Sequence, residues 1–195
     1  TGKAFGDAMD RDDGLLRVER CGICGSDVEQ LDGLLSIAEY PLIPGHETMG
    51  IVEEIGSAVA SVKPGQFVIG SFATSDNTCP HCRAGYQSSC MHREFMTRAQ
   101  APVLRVPLAD GTLVATPDVP PDDMIPSLLT TSDVLGTGWF AADAANVKPG
   151  STVVVVGDDD WGVVRAEVVE HDPASGSLVL RVLGELVDER ASELS

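Results

Sequence analysis

The stretch Gly45–Val59, GHETMGIVEEIGSAV, decides how this chain is read. Its front is a turn, with Pro41–His46 holding two prolines and a glycine ahead of an apolar run. Met49–Ile55 (MGIVEEI) is strand-like, and Gly56 closes it. Upstream, Leu15–Cys21 (LLRVERC) partly alternates and reads as a second strand, followed by a polar turn at Gly22–Asp27. Downstream, Lys63-Pro64-Gly65 is a turn before a short apolar strand at Gln66–Phe72. Turn signals at such short spacing predict an all-β barrel or sandwich over roughly residues 14–120. Within the deciding stretch, His46 and Glu47 are the residues able to do chemistry.

Further out the pattern changes. Residues 76–92 form a loop with Cys, Pro, His and Gly and little apolar periodicity, and Pro117–Pro121 is a Pro/Asp-rich linker. Asp122–Ala145 reads as helical, with Gly136 and Gly138 expected to break it. Lys148-Pro149-Gly150 repeats the earlier turn and leads into a mostly apolar strand, Thr152–Val156. Val163–Glu170 and Leu178–Leu183 flank a turn-rich loop, Asp172–Ser177, and predict a β-hairpin. Glu185–Leu194 is expected to be a short final helix.

Composition narrows the function classes. The chain has 195 residues, 13 Lys+Arg against 30 Asp+Glu and a formal net charge of −17, with 43% hydrophobic residues. That hydrophobic content suffices for a packed core. The acid excess argues against a nucleic-acid partner, which clustered Lys/Arg would serve. The longest apolar stretches, such as Val153–Val156, fall far short of the ~20 residues needed to span a bilayer, so no membrane role is expected. Four of the five cysteines lie in two C-x2-C pairs, Cys21/Cys24 and Cys79/Cys82. With no secretory leader visible, that pattern points to metal ligands in a reducing compartment, and so to the cytoplasm.

Zinc takes Cys, His and carboxylate ligands, and a catalytic site keeps one position open. Cys24 in CGICGSD, His46 in GHE and Asp133 in SDVLGTGW are ligand types of this kind, each weak when taken singly. Together they resemble the zinc-dependent medium-chain dehydrogenase/reductase family, the alcohol dehydrogenases. Gly45-His46-Glu47-x2-Gly50-x5-Gly56-x2-Val59 matches that family's zinc signature, Cys21–Asp27 its first ligand loop, and Ser132–Trp139 its third-ligand region. The similarity runs from about Leu15 to Gly157. It implies Cys24, His46 and Asp133 as ligands of a catalytic zinc, with Glu47 beside the metal as an exchangeable ligand. It implies Asp27 as the acceptor that orients His46, and Ser26 as the hydroxyl that takes the alcohol proton. Glu29 stands where many relatives have a relay histidine. Cys21 is read as a buried small side chain, not a ligand.

The same resemblance implies a structural zinc lobe at 76–92. Relatives often carry C-x2-C-x2-C-x7-C there; this chain has Cys79, Cys82 and Cys90 in the last three places and Asp76 in the first. Asp76 completes the set, with His81 and His92 as alternatives for the fourth position. The implied fold is mainly β with some α: a GroES-like, partly open β-barrel at 1–125, a helical connection at 126–150, and at 151–195 an incomplete Rossmann start with a C-terminal hairpin. The expected reaction is hydride transfer between a small alcohol or aldehyde and NAD or NADP. For the dinucleotide, however, the relatives' G-x-G-x-x-G turn keeps only Gly157 and Gly162. Asp159 occupies its middle position, between Asp158 and Asp160, where a pyrophosphate would lie. Only 33 residues follow Gly162, too few for the remaining strand–helix units. The alternative reading is a zinc-binding structural or interaction module without turnover. The edge strand Val153–Val156 leaves open a homo-oligomer or a complementing nucleotide domain as partner.

Overall fold

The computed structural model describes residues 9–31, 42–156, 163–172 and 177–186, with backbone alone from residue 154 onward. The chain divides into two compact units, Thr1–Thr137 and Gly138–Ser195, and the division falls inside the expected helical connection.

The first unit is an antiparallel sheet of five strands. They are β1 (Gly14–Cys21), β2 (Thr48–Ile55), β3 (Phe67–Gly70), β4 (Val103–Val106) and β5 (Leu113–Ala115), in the order β4-β1-β2-β3-β5. The strands expected around Leu15–Cys21, Met49–Ile55 and Gln66–Phe72 are β1, β2 and β3. Side chains alternate across the sheet, as a period of two requires. Val52 and Val68 pack on one face with Leu16, Val62, Leu104 and Val106; Met49, Phe67 and Ile69 pack on the other against Ile125. Ile125 opens a short helix, α4 (Ile125–Leu129), which adds Leu128 and Leu129 to that second cluster.

The glycines of the deciding stretch have structural reasons. Gly45 sits at φ +102°, in the region that side chains disfavour, and a Cβ there would lie 2.7 Å from the Gln100 backbone nitrogen. A Cβ on Gly50 would collide with the Arg17 carbonyl across the β1–β2 ladder, where the register shifts between Val18 and Arg20. A Cβ on Gly56 would collide with the Arg11 carbonyl. At the β1 end, buried Asp13 accepts Arg105 Nε–H from β4 at 2.6 Å, which compensates burial of the carboxylate.

Two local expectations are corrected. The polar turn after β1 is shorter than read, because helix α1 (Gly25–Leu31) starts within it: Asp27, in its first turn, accepts the Cys24 N–H at 2.9 Å. The helical stretch breaks at Asp133 (φ −148°, ψ −76°) and not at Gly136 or Gly138, which lie inside α5 (Val134–Ala144). The cause is a tether: the Phe72 N–H donates to the Ser132 carbonyl at 3.2 Å, turning the chain before α5 begins. Two further helices, α2 (Pro80–Arg83) and α3 (Ala109–Thr112), are single turns.

In the second unit, β6 (Thr152–Val156), β7 (Val163–Asp172) and β8 (Ser177–Leu186) form an antiparallel sheet in the order β6-β7-β8. The expected hairpin is β7–β8, and its strands run longer than the sequence reading had them. Glu185 and Leu186, read as the start of a helix, lie in β8. The rest of that segment, Gly157–Gly162 with its three aspartates, and the hairpin turn lie outside the described residues. No described helix is long and apolar enough to cross a membrane.

Candidate functional site

Among the described residues, two groups of donor side chains converge in the first unit. In one, Cys24, His46, Glu47 and Asp133 each offer an atom, all within 4.8 Å of one another. Cys24 comes from the loop after β1, His46 and Glu47 from the turn entering β2, and Asp133 from the kink before α5. His46 lies between two carboxylates: Nε2 is 3.1 Å from Asp133 Oδ2, and Nδ1 is 3.4 Å from Asp27 Oδ1. Asp27 is 2% exposed and tightly held, accepting the Gly45 N–H at 3.0 Å, the Cys24 N–H at 2.9 Å and Gln100 Nε2–H at 3.2 Å. It therefore ties together the two loops that carry Cys24 and His46. Ser26, half-buried in the first turn of α1, lies between Cys24 and Asp27 in the chain.

Glu47 is buried, and burial together with the nearby Asp133 raises its pKa above the ordinary carboxylate value. Its carboxyl carbon leaves only 2.8 Å to where a Cβ on Gly22 would be, so glycine at 22 makes room for it. Cys21, half-buried, turns its thiol to the Gly22 carbonyl at 3.2 Å; burial, then Asp27 and Glu47, pushes its pKa to about 11. It is not among the converging donors, and it is half-buried where the sequence reading has it buried. Two neighbours escaped that reading. Phe72 meets the His46 ring edge-on at 6.4 Å and stacks on Phe95 at 6.2 Å; Gln100 supports Asp27. Both reach the site across long sequence separations, and no local motif marks them.

The second group is Asp76, Cys79, Cys82 and Cys90, again within 4.8 Å of one another. The three cysteines are free thiols, each at most 5% exposed, and form an isolated cluster of their own. Cys79 Sγ lies 3.5 Å from Cys82 Sγ and 3.9 Å from Cys90 Sγ. Thiolates at 2.3 Å on one tetrahedral zinc would stand about 3.8 Å apart, so the spacing suits such an ion. Backbone N–H groups of Cys82 and Met91 pull Cys79 down to about 7, whereas burial and the neighbouring thiols push Cys82 up to about 12. Asp76 is held well below the usual carboxylate range by the N–H groups of Cys79 and Thr78. Of the alternative donors, His81 has its Nδ1 2.6 Å from the Ser89 carbonyl, and His92 has its Nδ1 on Asp76.

A five-stranded antiparallel sheet carrying a Cys/His/carboxylate group at one loop cluster and a three-thiol lobe at another is the plan of a zinc-type oxidoreductase domain. The domain family described as "Alcohol dehydrogenase GroES-like domain" matches residues 10–126, and this chain belongs to that family. It is 35% identical over 171 residues to "Medium chain reductase/dehydrogenase ucsI" of Acremonium sp, covering 82% of this chain and 58% of that protein. It is 34% identical over 164 residues to the zinc-type alcohol dehydrogenase-like protein AdhB of Bacillus subtilis, covering 75% of this chain and 43% of that one. Among solved structures, alcohol dehydrogenase TADH from Thermus sp. ATN1 superposes with a TM-score of 0.69 at 28% identity, covering 80% of this chain and 47% of that one. The chain thus spans about half the length of the curated relatives it matches.

Proposed function

We propose that this chain supplies the zinc-binding catalytic part of an alcohol dehydrogenase, acting on a small alcohol or aldehyde with NAD or NADP as hydride partner. The observation that carries this reading is the convergence of Cys24, His46, Glu47 and Asp133, from three separate loops, on one point. One soft, one borderline and two hard donors fit zinc. A zinc ion held there supplies a Lewis acid that lowers the pKa of an alcohol hydroxyl. Cys24, His46 and Asp133 are its ligands in this reading, and Glu47 is the exchangeable fourth donor. Asp27 faces His46 Nδ1 and so keeps the proton there, which leaves the Nε2 lone pair for the ion. Ser26 relays the alcohol proton, its hydroxyl oxygen taking that proton as its own hydroxyl proton passes to water. In the second group, Asp76, Cys79, Cys82 and Cys90 hold a structural zinc.

The dinucleotide fits this chain poorly. Asp159 stands at the middle of the expected glycine-rich turn, and β6 takes β7 as an antiparallel neighbour, where a doubly wound sheet sets parallel strands beside one another. No step is therefore assigned to residues of this chain at the cofactor; Gly157 and Gly162 remain its nearest counterparts to a cofactor turn. That pairing also favours a second reading, a zinc-binding GroES-like structural or interaction module that is catalytically incomplete. Five free thiols suit a reducing compartment, which supports the cytoplasm as its place. Titration with NAD(H) and NADP(H), followed by an alcohol-oxidation assay on zinc-loaded protein, separates the readings. Binding and turnover support the first for the isolated chain; loaded zinc with neither leaves the second.

A further inference from the structure

The thiol lobe contains one contact that its four donors do not account for. His92 Nδ1 lies 2.6 Å from Asp76 Oδ2. The other carboxylate oxygen, Oδ1, accepts the N–H groups of Thr78 at 2.9 Å and Cys79 at 3.0 Å. Both oxygens of Asp76 are thus held, one by backbone and one by an imidazole. The His92 backbone is itself anchored, since its amide N–H points at Cys90 Sγ, 3.4 Å away. The Asp76 side chain is 12% exposed and the His92 side chain 65%, so a largely exposed imidazole meets a half-buried carboxylate.

A thiolate ligates through a single atom. A carboxylate has two oxygens and a torsion that swings them, so placing one in line with three sulfurs requires something to stop the rotation. Of this pair, the group that can supply the hydrogen to a carboxylate oxygen is the imidazole, through Nδ1–H at 2.6 Å. Its ligating capacity at Nδ1 is spent on that bond, and His92 is not among the four residues whose donor atoms converge.

We propose that His92 is a positioning residue for the lobe's cation, its Nδ1–H holding the Asp76 carboxylate turned toward Cys79, Cys82 and Cys90. The inference rests on the reading of this lobe as a zinc site. It reverses the more frequent arrangement, in which histidine ligates and a carboxylate orients it.

The test uses the full chain carrying Cys24→Ser, so that zinc titrated against a chromophoric chelator reports the lobe. His92→Ala is expected to weaken zinc there by about 10- to 100-fold, the range typical for loss of an orienting partner. His92→Asn is expected to restore most of the affinity, because its amide N–H reaches the place of Nδ1. Cobalt(II) in the lobe adds a second readout. In His92→Ala the ligand-field bands should shift while the sulfur-to-metal charge-transfer intensity stays, since all three thiolates remain. Unchanged affinity in His92→Ala would overturn the proposal. Loss in both variants would overturn it too, by making the imidazole a direct ligand. A parent lobe that binds no zinc at all would instead remove the zinc reading on which it rests.

Discussion

The two donor groups are built in opposite ways. Asp76, Cys79, Cys82 and Cys90 come from one loop of 15 residues, and their thiols are sealed from solvent. Cys24, His46, Glu47 and Asp133 are drawn from a span of 110 residues, and three of the four are only half-buried. The first arrangement is soft, closed and local, held within its own loop by short helices and turns. The second is mixed and open, and its loops are fixed by their junctions with β1 and β2 and by the Phe72–Ser132 hydrogen bond. A closed set of four suits a structural ion, and an open set leaves room for a substrate. The contrast also says where metal and fold depend on each other: strongly in the lobe, weakly at the open site.

The largest expected effect tests that asymmetry. Cys82→Ser should remove the lobe's ion and lower the melting temperature by on the order of 10 °C, because structural zinc contributes several kcal/mol to folding. Cys24→Ser should remove the other ion and move the melting temperature far less. Equal shifts in calorimetry would break the comparison. Next comes Asp27→Asn, which replaces an acceptor used by Gly45, Cys24 and Gln100. It should weaken zinc at the open site by about 10- to 100-fold and leave the lobe untouched, as read by chelator competition. Gly22→Ala drives a Cβ against the Glu47 carboxylate and should cost about 1–3 kcal/mol in denaturant unfolding, with the disturbance confined to the same site.

The smallest effect sits beside the lobe. Asp110 Oδ1 accepts the N–H groups of Ala60 and Ser61, both at 2.8 Å. Burial acts to raise its pKa, but the Ser61 and Ala60 donors outweigh it and hold the pKa below the ordinary value. A depressed carboxylate stabilises the fold above its unfolded pKa, and that contribution fades as pH falls through the folded one. Asp110→Asn should therefore melt slightly below the parent at pH 7, and the difference should shrink as pH falls from about 4 toward and through the folded pKa. A difference that grows in acid would contradict this.

How far the sequence could be read follows the same division. The lobe is legible because its donors share a single spacing pattern. β1, β2 and β3 are legible because apolar runs bounded by Gly and Pro mark them. β4 and β5 are not individually legible: four and three residues are too few to show a period. The sequence puts the break at Gly136 and Gly138, and it falls three residues before the first of them, at Asp133, because its cause is a hydrogen bond from Phe72, distant in sequence. His46 and Glu47 stand out in their motif, but nothing local to Asp133 says that it meets them. That expectation came from family resemblance, and the sheet's topology is what brings the residues together. Gln100 and Phe72 carry no such mark and emerge only from the fold.

The central claim is that one chain holds two zinc ions in independent sites. The most direct measurement is the zinc content of the purified full chain and of its Cys24→Ser and Cys82→Ser variants, by elemental analysis after exhaustive dialysis. The account predicts close to two ions per chain in the parent and close to one in each variant. A parent without zinc, or a Cys24→Ser variant that keeps its full complement, would contradict it.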